Sequence, residues 1–199
     1  MPASEDRVLT VPNALSLVRL LLVPMFVWLV LGRHDEYIGA ALLAGLGASD
    51  WVDGYVARHF DQVSNLGKVL DPTADRILVA AAVVTAVADG AIAVWLCVLV
   101  ALREALVTGG VLVLGAMRVP RIDVVWVGKA GTLGLMVSFP LFLVAHSGAG
   151  WHPIAHVLAW VFCLPALVLA WTAAVAYFRT ARRLLGERQR LEPRVRSVP

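Results

Sequence analysis

Asp50-Trp51-Val52-Asp53-Gly54-Tyr55-Val56-Ala57-Arg58, then eight residues, then Gly67-Lys68-Val69-Leu70-Asp71-Pro72-Thr73-Ala74-Asp75 carry four carboxylates inside two of the chain's apolar runs. On insertion scales a charged side chain in a membrane helix costs about 2.5–3.5 kcal/mol, so four of them need a shared reason. Asp50 and Asp53 are three residues apart, and Asp71 and Asp75 four apart. Both spacings put a pair of acids on one helix face. The short polar connection between the runs predicts two antiparallel neighbouring helices. All four acids can then converge at one end of that pair.

Working outward, the rest of the chain explains what surrounds these helices. Of its 199 residues 60% are hydrophobic, and the mean hydropathy is +0.80. Soluble domains are nearer 45–50% apolar, so the excess faces lipid. Six runs are long enough to span a bilayer, near 14–32, 38–59, 66–88, 91–115, 124–146 and 153–178. The expected fold is all-α: a polytopic membrane protein of six transmembrane helices with an N-terminal interfacial helix segment. A single membrane domain over 1–185 and a polar tail over 186–199 are expected, without internal repeats. The polar start MPASEDRVLT has no cleavable signal pattern, so the first run is read as a retained helix. Pro12 and Asn13 are read as a break before it. Arg19 within it either snorkels to the interface or points at an anion. Cys97 and Cys163 lie in apolar runs and have no metal-ligand spacing.

Basic residues set the expected orientation. An even number of spans puts both termini on one side, with Arg7, Arg58, Lys68, Arg118, Arg121 and seven arginines from Arg179 onward. Arg33 stands alone on the other. Twelve against one places the termini and the acids at the cytoplasmic face of the cell membrane. The arginine-rich end is read as positive-inside anchoring at anionic lipid, not as nucleic-acid binding.

Converging carboxylates must stay partly protonated or take up cations. Hard oxygen ligands suit Mg²⁺ or Mn²⁺, and two such ions could clamp a diphosphate and polarise an attacking hydroxyl. Gly54, Ala57 and Gly67 fall one turn from Asp50, Asp53 and Asp71, which leaves room for a ligand or for close helix approach. Arg58 can fork onto a phosphate. Pro72, without an N–H, belongs in the first turn of its helix or at a kink. Taken singly, the acids have plainer readings: Asp71 as an N-cap before Pro72, or Asp50 or Asp53 bridged to Arg58. Those readings do not account for all eight fixed positions together.

The stretch resembles the signature of the CDP-alcohol phosphotransferases, D-x2-D-G-x2-A-R-x8-G-x3-D-x3-D, and matches it at every defining position. Val11-Pro12-Asn13-Ala14-Leu15-Ser16-Leu17-Val18-Arg19-Leu20 also resembles that family's N-terminal segment. The resemblance implies that Asp50, Asp53, Asp71 and Asp75 hold two divalent cations, with Asp75 as general base toward the acceptor hydroxyl. It implies a CDP site lined by Asp53, Gly54, Ala57, Arg58 and Gly67, with CDP-diacylglycerol as donor and CMP as leaving group. A homodimer is implied as well.

The acceptor must be read from the second half, where Arg103 and Lys129 are the candidate anion contacts. Snorkelling or pairing are their plainer readings. Val127-Gly128-Lys129-Ala130-Gly131-Thr132 resembles the G-K-x-K-T stretch of phosphatidylglycerophosphate synthases but has Gly131 in place of the second lysine. A lone Lys129 with Ala130-Gly131-Thr132 after it is more similar to the actinobacterial, eukaryotic-type cardiolipin synthases of the family. The reading therefore favours phosphatidylglycerol as acceptor, with glycerol 3-phosphate as the alternative. A cation transporter would also permit buried carboxylates, but it leaves Arg58 and the small residues at the acids unexplained.

Overall fold

A computed structural model describes residues 11–59, 67–116 and 126–195. The described residues form six α-helices and no strand: α1 Val11–Val27, α2 Glu36–His59, α3 Gly67–Ala88, α4 Val94–Ala116, α5 Trp126–His146 and α6 His152–Val195. A π-helical turn, Trp28–Gly32, prolongs α1. Arg7, Arg118, Arg121 and Arg196, which entered the orientation count, lie outside the described residues. Among the described residues, four helices are long and apolar enough to cross a membrane, at Asn13–Gly32, Val94–Val111, Trp126–His146 and His152–Arg183. In α3 the described apolar run is shorter, Arg76–Ala88.

Two details differ from the sequence reading. Pro12 does not break the chain but lies in the first turn of α1, where a missing N–H leaves no helix bond unmade. The helical path of α6 continues to Val195, so the polar residues 186–195 prolong that helix instead of leaving it at Gly186. Arg188, Gln189, Arg190 and Leu191 all favour helix, and that propensity carries α6 past Gly186.

The described residues fall into two compact units, 1–97 with 136–161, and 98–135 with 162–199. In the first, α1 packs against α2 and α3. The buried stripe of α1 is polar at its start, Asn13, Ser16 and Arg19, and apolar beyond, Val23 and Phe26, with Val30 of the π-turn continuing it. The apolar outward positions Leu21 and Met25 remain exposed, as lipid contact requires. Gly39 of α2 approaches the π-turn so closely that a Cβ there would lie 2.4 Å from Val30 Cγ2. Trp160 stacks on Trp95 at 6.0 Å and takes the edge of Phe142 at 5.2 Å.

In the second unit, α6 buries a row of small residues, Ala166, Ala170, Ala174 and Ala181. Its bulky Leu164 and Val168 point outward and are exposed. Small inward residues let membrane helices approach backbone to backbone. Here that approach is to α5: a Cβ on Gly131 would lie 2.7 Å from the Ala170 backbone nitrogen, and one on Gly134 2.6 Å from Ala166 Cβ.

Candidate active site

α2 carries Asp50, Asp53, Gly54, Ala57 and Arg58 in its last three turns, and α3 carries Gly67, Asp71 and Asp75 in its first three. The backbone is helical through both sets, so positions 50 and 53 share one face and 71 and 75 another, as their spacings require. The side chains of these eight residues lie outside the described part of the structure. α3 begins at Gly67, which puts Asp71 inside the helix, not at its N-cap. Pro72 then falls in the second turn, beyond the first-turn position where its missing N–H would cost nothing.

Two described features bring the helices together. Leu43 and Gly47 of α2 line one apolar recess with Leu78, Val79 and Ala82 of α3 and with Met136 and Phe139 of α5. Gly47 precedes Asp50 by one turn and Leu78 follows Asp75 by one turn. The recess thus sits one turn from the acidic positions, and α2 and α3 adjoin beside them. At the other end of the pair, ligand atoms of Glu36, the first residue of α2, and Asp89, just after α3, lie within 4.8 Å of each other. The pair is antiparallel, as the short connection predicted.

Arg19 is the residue whose place the sequence left open. It does not snorkel: only 1% of it is exposed, and its Nη2 donates to Ser49 Oγ at 3.4 Å. Ser49 donates in turn to the Leu46 carbonyl oxygen at 2.8 Å. The guanidinium therefore reaches α2 at the residue before Asp50. The signal in the sequence was Asn13, Ser16 and Arg19 at three-residue steps, a polar stripe on one face of an otherwise apolar helix.

The acceptor candidates belong to the second unit. Arg103 is buried and paired with Glu104, and among the described residues its Nε has no hydrogen-bond partner. Pairing, one of the plainer readings of Arg103, is thus realised. Lys129 lies in the first turn of α5 and is exposed. Thr132 Oγ1 donates to the Gly128 carbonyl oxygen at 3.1 Å. Gly131 is no vacant basic position, because the α6 backbone occupies the space a side chain would need.

Comparison with known proteins follows the same lines. A family model described as CDP-alcohol phosphatidyltransferase matches residues 9–172. The chain is 39% identical over 186 residues to the cardiolipin synthase (CMP-forming) of Streptomyces coelicolor, covering 90% of this chain and 86% of that one. It is 41% identical over 117 residues to the CDP-diacylglycerol–glycerol-3-phosphate 3-phosphatidyltransferase of Bacillus subtilis, covering 52% of this chain and 61% of that one. A Mycobacterium tuberculosis protein named "Probable phosphatidylglycerophosphate synthase" is 32% identical over 189 residues, covering 92% of this chain and 87% of that one.

Proposed function

The chain belongs to the CDP-alcohol phosphatidyltransferase family, and on that premise we propose that it makes cardiolipin, transferring the phosphatidyl group of CDP-diacylglycerol to phosphatidylglycerol. The observation that carries this reading is the similarity to the Streptomyces coelicolor cardiolipin synthase over 90% of the chain. Gly131 supports it. Glycerol 3-phosphate arrives from water with about two negative charges and calls for several cations in charge-assisted pairs. A second lysine at position 131 has no room. Phosphatidylglycerol brings one phosphodiester charge and keeps its chains in lipid, so fewer cations are needed: Lys129 is the exposed anion contact, and Arg103, already paired with Glu104, adds its Nε.

In the transfer, the acceptor hydroxyl oxygen bonds to the phosphatidyl phosphorus. The phosphoanhydride bond to CMP breaks, and the hydroxyl proton passes to Asp75. Arg58 donates to the diphosphate, and Asp53, Gly54, Ala57 and Gly67 line the cytidine diphosphate. Members of the family use divalent metal ions. Four carboxylates on adjoining helices form a hard oxygen donor set, so Asp50, Asp53, Asp71 and Asp75 would hold two cations, Mg²⁺ or Mn²⁺, whose charge offsets the diphosphate. A water-soluble nucleotide leaving group and a bilayer acceptor also fit six spans, with both termini and the acids at the cytoplasmic face of the cell membrane. A homodimer is part of the same reading.

The test is purified protein in detergent with labelled CDP-diacylglycerol and either acceptor. Cardiolipin and CMP are expected with phosphatidylglycerol. Ready formation of phosphatidylglycerophosphate without cardiolipin would transfer the assignment to the activity named for the Bacillus subtilis relative.

A further inference from the structure

The end of the α2–α3 pair away from the acids holds a second group of titratable side chains that the transfer reaction does not use. One ligand atom from each of His34, Glu36 and Asp89 lies within 4.8 Å of the others. His34 belongs to the connection between the π-turn and α2, Glu36 opens α2, and Asp89 follows the last residue of α3. His146, the last residue of α5, stands beside them: a Cβ on Gly90 would lie 3.9 Å from its Cε1. Gly90 takes a φ of +86°, the left-handed turn that ends α3 and turns the chain at Asp89.

This group has a requirement it does not meet by itself. Asp89 is half-buried, and its Oδ2 is occluded and has no hydrogen-bond partner among the described residues. An unsatisfied buried carboxylate oxygen costs more than a neutral group, and Glu36 sets a second negative charge beside it. A cation answers both the occluded oxygen and the paired acids.

We propose that His34, Glu36 and Asp89 form a second metal site, for a borderline divalent ion of the Zn²⁺ kind, which ties the α1–α2 connection to the turn after α3. The imidazole is what separates this site from the catalytic one: an all-carboxylate set suits Mg²⁺ or Mn²⁺, whereas imidazole with carboxylates suits Zn²⁺. Three protein ligands leave a fourth tetrahedral place for water or for His146. The edge of such a site is about 3.4 Å for bonds of about 2.0–2.1 Å, a side-chain rotation away from the separations present. Fourteen residues of helix separate Glu36 from Asp50, and fourteen separate Asp75 from Asp89, about 21 Å at 1.5 Å per residue. The ion is therefore structural and independent of the phosphatidyl transfer.

Zn²⁺ titration of tag-free, chelator-stripped, full-length protein in detergent, with Mg²⁺ held saturating, tests this. One Zn²⁺ per chain is expected, with a rise in unfolding temperature. Asp89→Asn and His34→Ala should each weaken binding by at least about a hundredfold and abolish that rise, while still releasing CMP from CDP-diacylglycerol with Mg²⁺. Asp71→Asn should bind Zn²⁺ like the parent. If Asp89→Asn does not fold, His34→Ala, altered at an exposed loop position, decides alone. No Zn²⁺ uptake over Mg²⁺, uptake unchanged in His34→Ala, or uptake lost only in Asp71→Asn overturns the proposal.

Discussion

A guanidinium with 1% of its surface exposed, on a helix whose other face is apolar, must be held by the protein, and Ser49 supplies one contact. Removing it leaves buried acceptors that cost about 1–3 kcal/mol. Arg19→Leu is expected to lower the unfolding temperature in detergent and to cut CMP release at least tenfold, with Arg19→Lys in between. An Arg19→Leu protein with parental stability and turnover would show that Arg19 has no part in holding α2 at Asp50. At Asp75 the expectation is sharper: loss of a general base costs about 10²–10⁴ in rate. Asp75→Asn should lose turnover by that order while still binding labelled CDP-diacylglycerol, and an active variant would remove Asp75 as the base. The eight motif positions stand out in the sequence through the spacing of the acids and their match to the family signature, and their roles belong to the proposed function. Arg19 was not legible, because one arginine in an apolar helix reads equally as snorkelled or buried until a neighbouring helix is known.

Among the elements, α5 and α6 put a limit on what the second half can become. Overpacking a tight contact costs about 1–3 kcal/mol, so Gly131→Ala should lower the unfolding temperature. Gly131→Lys, which sequence comparison alone would suggest as a gain of glycerol 3-phosphate use, should yield unstable protein and no such activity. A stable Gly131→Lys enzyme that makes phosphatidylglycerophosphate would refute both the packing argument and its use against that acceptor. The six helices were legible from apolar run length, and their limits fall close to the predicted spans. The end of α6 was not, because polar composition at Gly186 resembles a tail whereas the helix-forming residues after it continue the element. The α5–α6 contact was equally hidden: Gly131 looked like a missing lysine, and only the position of Ala170 reveals it as a packing glycine.

For the whole molecule, the proposed topology and metal dependence make separate claims. A cysteine introduced at Ser64, in the α2–α3 connection outside the described residues, should react with an impermeant maleimide in inverted vesicles and not in intact cells. Labelling only from outside the cell would reverse the orientation. Exhaustive chelation should abolish CMP release and Mg²⁺ or Mn²⁺ restore it; full turnover without divalent cations would remove the ions from the reaction.

α6 has 44 residues, a contour of about 66 Å at 1.5 Å per residue, against a hydrocarbon core of about 30 Å. Its first residue follows a tight turn at Gly148, where φ is +66°, but nothing in its backbone marks where oil ends and water begins at the far side. Pro165 removes one bond in its early turns, but from there to Pro193 the sequence has no further proline, and such a helix satisfies its own hydrogen bonds in either medium. If the membrane thickens or thins, this helix can therefore let the waterline slide along it without breaking a bond, leaving the turn at Gly148 as the fixed datum from which depth is measured.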